Sequence, residues 1–211
     1  MTGSIKIAIA GPQTGSTAEH GADLEIGVRQ AVRDINASGG VNGKRLEAWD
    51  YDDAGEPKQA VAVANKIVNE GRWKFVVGHM ASATAALAAD IYDGEGIIMI
   101  TPGATGPEPT DRGYKLIFRT IGLDSTQGPA DGNSFDKDPE NKEIVEALKT
   151  HGIDPSRPYI FRAYAAVQVI AEGIKAAGSE DTERVADAIH NGKFKTVIGT
   201  LSFDGKGDLR V

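Results

Sequence analysis

Asp52 and Asp53 are adjacent carboxylates at the carboxyl end of the run Leu46–Asp52. Open α/β sheets place their ligands at that end of a strand. The pair suits a phospho-acceptor or a magnesium ligand, but the simpler reading is helix capping and loop hydrogen bonding ahead of Pro57. His20, His79, His151 and His190 lie far apart and show no HExxH-like spacing, so no metal site is expected. DGKGD, Asp204 to Asp208, has the flavour of a calcium loop. It lacks the EF-hand order and the distal Glu, so it is read as a hairpin turn. GPQTGSTAEHG follows a strand, as a phosphate loop would, but lacks both the Gly-Lys-Ser/Thr ending and the G-x-G-x-x-G spacing. GHMAS is not a nucleophile elbow, because no Gly follows Ser82. No catalytic residues and no cofactor are expected.

Two other loops suit a small anion or zwitterion. GHMASAT, Gly78 to Thr84, leaves a strand and opens a helix that Ser82 is expected to cap. Free backbone N–H groups and the helix dipole there favour a carboxylate. TPGATGPEPT, Thr101 to Thr110, leaves another strand and offers carbonyls, N–H groups and the Thr105 hydroxyl. With GPQTGSTAEHG, three loops converge on one carboxyl edge.

The elements that must position these loops alternate. Ile5–Gly11, Leu46–Asp52, Lys74–Gly78, Gly96–Thr101 and Lys115–Thr120 read as short buried strands bounded by Gly and Pro. Between them, Leu24, Val28, Ala31 and Ile35 keep helical spacing up to Gly39-Gly40. Ala60, Ala64, Ile67 and Val68 do so after Pro57, and Ser82 to Asp93 forms a small, Ala-rich helix. Short strand–helix alternation predicts an α/β fold: a Rossmann-like, three-layer parallel sheet with helices on both faces. After Leu123 the run DSTQGPADGNSFDKDP breaks the pattern, and helical stripes follow at Ile144–Leu148, Ala163–Ile174 and Val185–Ile189. The tail TVIGTLSFDGKGDLRV reads as strand, turn, strand.

Composition narrows the partners. The 211 residues are 40% hydrophobic, enough for a real core. The formal net charge of -7 argues against nucleic acid and against an anionic membrane surface. Zero cysteines remove disulfides and thiol chemistry. The start lacks the basic n-region and cleavage site of a secretory signal, which fits a mature or a recombinant cytoplasmic chain.

DINASGGVNGKRLEAWDYDDAGEPKQAVAVANKIV, VVGHMASAT, DIYDGEGIIMITPGAT and IFRTIGLDSTQGP resemble the amino-terminal lobe of the leucine/isoleucine/valine-binding proteins. These are periplasmic receptors of branched-chain amino-acid ABC importers. NKEIVEALKTHGIDPSRPYIFRAYAAVQVIAEGI and LSFDGKGDL are similar to a later part of the same family. The resemblance implies one lobe of a type I periplasmic-binding protein and a non-catalytic function. The second lobe is missing, which reads as an engineered deletion closed near Ala130-Asp131. One α/β lobe is therefore expected from two blocks, 1–130 and 131–211. Gly55 and Ala81 stand where the family commonly has a cysteine pair.

The resemblance also implies a site. Ser82 and Thr105 would give hydroxyl and N–H groups to an amino-acid carboxylate, and Gly103 its carbonyl to the ammonium. Met80, Ala81, Ala104, His20 and Tyr159 would line the side-chain pocket. The implied ligand is leucine, isoleucine, valine or a similar amino acid, held weakly because the second lobe's contacts are gone; the parent would dock an ABC permease. Two possibilities compete: a scaffold or folding-model domain without ligand function that self-associates as a homo-oligomer, and a small α/β enzyme using Asp52 and Asp53.

Overall fold

The computed structural model describes residues 3–125 and 134–210. Five strands form one parallel sheet: β1 (Ile5–Gly11), β2 (Leu46–Asp52), β3 (Phe75–Gly78), β4 (Ile98–Thr101) and β5 (Ile117–Arg119), in the order β2-β1-β3-β4-β5. The crossovers between them carry α1 (Ala18–Ala37), α2 (Pro57–Asn69) and α3 (Ser82–Gly94). The later block adds α4 (Lys142–Thr150), α5 (Ile160–Ala177) and α6 (Thr182–Asn191), then β6 (Phe194–Thr196) and β7 (Gly199–Leu201). The expected α/β architecture is present: β1 and β2 have the expected limits, and β3, β4 and β5 start one or two residues inside theirs. The expected join at Ala130-Asp131 lies outside the described residues.

Side-chain alternation along the strands builds the layers. Ile5, Ile7 and Ile9 of β1 point to one face, where α1, α5 and α6 cover them together with Phe75, Val77, Ile98 and Ile100. Ala8 and Ala10 point to the other, where Val63, Ala64 and Ile67 of α2 pack with Ala85, Ala88 and Ala89 of α3. A sheet buried on both faces needs near-continuous apolar strands, and β3, β4 and β5 are buried at every position. Small residues on the second face let α2 and α3 lie close to it.

The tail bears out the DGKGD turn: it closes an antiparallel bridge between Phe203 and Leu209, flanked by the Asp204 N–H to Asp208 carbonyl and Arg210 N–H to Ser202 carbonyl bonds, both at 2.9 Å. A second, earlier hairpin pairs Phe194–Thr196 with Gly199–Leu201 around Val197-Ile198. Asp204 Oδ1 accepts from the N–H groups of Lys206 and Asp208, the local bonding that makes Asp a turn former.

Candidate functional site

β1, β3 and β4 all release the chain at the same edge of the sheet, and their parallel register makes this edge common to the three loops. The loop after β3 starts from a tight approach. Gly78 has φ +131, and a Cβ there would fall 1.8 Å from the Ala10 carbonyl oxygen. Only glycine tolerates both. Met80 follows, buried, with its side chain toward the next loop: a Cβ on Gly103 would lie 2.7 Å from Met80 Cε and 2.8 Å from its carbonyl oxygen. Ala81 is exposed.

Ser82 does not cap α3, as its type and place predict. The N-cap residue is Ala81, with no side-chain cap. The Ser82 hydroxyl is turned instead to the loop after β4, where Oγ accepts from the Gly106 N–H at 2.9 Å. That bond ties the two loops together. It leaves the hydroxyl hydrogen to donate, since a serine oxygen accepts and donates at once. The first intrahelical bond runs from the Ala85 N–H to the Ala81 carbonyl at 2.9 Å. The N–H groups of Ser82, Ala83 and Thr84 precede it at the positive end of the helix dipole.

The loop after β4 is shaped from below. Thr101 Oγ1 accepts from the N–H groups of Ala104 at 3.1 Å and Gly103 at 3.4 Å. Arg119, wholly buried at the end of β5, donates Nη1 to the carbonyls of Ala104 at 2.7 Å and Gly106 at 2.8 Å, and Nη2 to Thr110 Oγ1 at 2.6 Å. Its Nε pairs with Asp208 at 2.6 Å, and Thr110 Oγ1 donates to the same carboxylate at 2.7 Å. Burial lowers the Arg119 pKa, while the Asp208 charge works in the opposite direction. The Thr105 carbonyl accepts from the Asp124 N–H at 3.0 Å. Gly103, whose carbonyl is in none of these bonds, is half-buried beside Thr105. Ala104 is fully buried and packs into the α2–α3 core, so what it presents to the loop is backbone.

His20 and Tyr159 form a separate wall. His20 lies in the first turn of α1 and meets the Tyr159 ring edge-on, with centroids 4.9 Å apart. Tyr159 heads α5, and its N–H donates to Asp23 Oδ2 at 3.4 Å, while Arg157 Nε pairs with Asp23 Oδ1 at 2.5 Å. Burial dominates the Asp23 carboxyl and raises its pKa above the usual carboxylate range despite Arg157. The structure thus sets Gly103 against Met80 and Gly106 against Ser82, with Thr105 between the two glycines in the chain, and places His20 against Tyr159 at the start of α1.

Asp52 and Asp53 bond to the loops, as the simpler reading expects, although neither caps α2, whose N-cap residue is Glu56 without a side-chain cap. Asp52 accepts from Gln13 N, Thr14 N and Thr14 Oγ1, and from Ala54 N. Asp53 reaches the wholly buried His79, a contact the spacing did not indicate.

The profile of the family described as "Periplasmic binding protein" matches residues 4–133. A Pseudomonas aeruginosa protein named "Leucine-, isoleucine-, valine-, threonine-, and alanine-binding protein" is 35% identical over 327 positions, covering 98% of this chain and 87% of that protein. The chain belongs to the periplasmic binding protein family. The "Leucine-specific-binding protein" of Salmonella typhimurium is 34% identical over 332 positions, covering 100% of this chain and 89% of its own. Both alignments are far longer than the 211 residues of this chain, so long internal stretches of these relatives have no counterpart in it. Two crystal structures share the fold. A leucine binding protein from Thermotoga maritima has a TM-score of 0.83 at 17% identity, covering 97% of this chain and 93% of that one. A branched-chain amino acid transporter substrate binding protein from Streptococcus pneumoniae, in complex with isoleucine, has a TM-score of 0.79 at 19% identity, covering 98% and 94%.

Proposed function

We propose that the chain is the ligand-binding lobe of a branched-chain amino-acid receptor of an ABC importer, and that it is non-catalytic. The observation that carries this reading is the Ser82 Oγ–Gly106 N–H bond, which sets two loops side by side at the carboxyl edge of the sheet. In this reading the Ser82 hydroxyl, the first N–H groups of α3 and the Thr105 hydroxyl receive the amino-acid carboxylate. The Gly103 carbonyl receives the ammonium. Met80, Ala81, Ala104, His20 and Tyr159 bound the aliphatic side chain. The names of the curated relatives support leucine, isoleucine or valine as the ligand.

The two sequence blocks, 1–130 and 131–211, close as one lobe in this reading, and the ligand has partners on one side only. A buried ammonium with unfilled hydrogen-bonding capacity is costly, so binding is weak. Titration with leucine, isoleucine, valine and γ-aminobutyric acid, followed by amide resonances, tests the site. Shifts should centre on Ser82, Gly103 and Thr105, strongest with the branched amino acids. Ser82→Ala and Thr105→Ala should each weaken leucine about 10- to 150-fold, the effect of one lost hydrogen bond to a charged group. Shifts that avoid both loops would overturn the assignment. Light scattering through a dilution series tests the competing reading, in which a persistent dimer hides this edge.

A further inference from the structure

We propose that His79, held by Asp53, is the positioning residue that sets the three ligand loops relative to one another; this rests on the site described under the proposed function and names the device that keeps it in shape. Both residues are fully buried. His79 Nδ1 lies 2.5 Å from Asp53 Oδ2, and Nε2 lies 3.2 Å from the Tyr92 hydroxyl, so the ring is gripped at both nitrogens. A carboxylate only accepts, which puts the imidazole hydrogen on Nδ1 and leaves Nε2 facing the tyrosine. Burial first, then the Asp53 charge, raises the Tyr92 pKa, so the phenol keeps its hydrogen for this contact.

From this ring, each loop is reached in a few bonds. The His79 carbonyl accepts from Thr101 Oγ1 at 2.6 Å, and the same Thr101 oxygen receives the Ala104 and Gly103 N–H groups. That path orients the carbonyl proposed for the ammonium. Asp53 N–H donates to the Gly11 carbonyl at 3.1 Å, and Asp53 Oδ1 accepts from Gly55 N–H at 2.8 Å. Its neighbour Asp52 clamps Gln13 and Thr14 of the first loop. His79 itself precedes Met80 and Ser82 in the second loop. A buried carboxylate is expensive to keep without partners, and this one sits where its partners span the whole site. It also gives Asp53 a use that needs neither phosphate nor metal.

Asp53→Asn is the decisive variant. Gly55 N–H holds the amide oxygen in place of Oδ1, which turns the amide NH2 toward His79 Nδ1. That nitrogen must then accept, and the ring hydrogen moves to Nε2, which donates to Tyr92. Imidazole 15N shifts should report this tautomer change. In the ligand-free protein, amide resonances of Gln13, Thr14, Gly103, Ala104 and Thr105 should move together, and leucine affinity should fall about tenfold. Tyr92→Phe, a milder change, should move the same amides less. Tyr164→Phe removes a buried hydroxyl from Asp34, away from the loops. It should lower the melting temperature while leaving loop shifts and affinity in place. If Asp53→Asn moves only its immediate neighbours, or if Tyr164→Phe disturbs the loops as much at equal stability loss, the positioning role is wrong. If the unaltered chain binds no amino acid, the proposed function fails, yet the ligand-free amide shifts still decide this inference. Should Asp53→Asn not fold, Tyr92→Phe decides it by the same shifts.

Discussion

The carboxylate of Asp52 takes four donors: the N–H groups of Gln13, Thr14 and Ala54, and the Thr14 hydroxyl. Burial pushes this carboxyl up, but the bonds from Thr14, Ala54 and Gln13 together hold it below the ordinary carboxylate range. A carboxyl whose pKa is lower in the folded state adds stability above its unfolded value of about 4 and loses it as pH falls through the folded value. Urea midpoints should therefore drop on acidification through this window, and Asp52→Asn should flatten that drop; an unchanged slope would show that Asp52 is not its source. Sequence alone placed Asp52 in loop bonding because a strand-ending Asp before Gly and Pro is a turn former. It did not disclose the His79–Asp53 contact. The hint was a histidine one glycine after the apolar run Phe75–Val77, since a polar side chain entering a core requires a partner. Which carboxylate answers that need depends on how separate crossovers meet, and spacing does not carry that.

At the scale of elements, two joints hold the loops and helices around the carboxyl edge of the sheet. Gly27 lets α1 meet α5: a Cβ there would fall 2.2 Å from the Ile160 carbonyl oxygen and 2.8 Å from Ala163 Cβ. Gly27→Ala should cost about 1–3 kcal/mol by overpacking, read from chemical denaturation, and should disturb Tyr159 through the shifted head of α5. The second joint is Arg119 with Asp208. Arg119→Met should cost about 3 kcal/mol or more because it strands the Asp208 carboxylate. Adding Asp208→Leu should return part of that loss, while the loop after β4 stays loosened because its carbonyls have lost their donor. Thermal unfolding of the single and double variants checks this; equal losses would mean that the stranded charge is not the cause. The helices and strands themselves were legible. Ile5, Ile7 and Ile9 against Ala8 and Ala10, or Ala60, Ala64 and Ile67, state their period directly. The Ser82 cap was misread because it rests on local propensity, and a tertiary hydrogen bond to Gly106 displaced the local choice. The DGKGD turn, set by local Asp bonding, was legible.

Across the whole molecule, the later block completes what the earlier one begins. α5 is mostly buried, with Ile160, Ala163, Val167 and Ile170 in the core that also contains Leu24, Val28 and Ile9. A fragment ending at residue 125 would expose that face of the sheet, and it should give neither a cooperative unfolding transition nor dispersed methyl resonances. The family likeness was visible from the long motifs around VVGHMASAT and TPGAT, whereas the way two blocks share one core was not, because no local pattern says which helix covers which face. The Arg119–Asp208 pair adds a consequence for biosynthesis. Chains emerge amino end first, so Arg119 and the loop it supports are made before α4, α5 and α6, and Asp208 arrives after all three. Until then the guanidinium lacks the Asp208 carboxylate at Nε, and the carboxyl edge of the sheet stays unfinished on the ribosome. Nascent chains stalled before Asp208 should therefore be cut by protease at the Thr101–Thr110 loop, and chains released beyond it should resist.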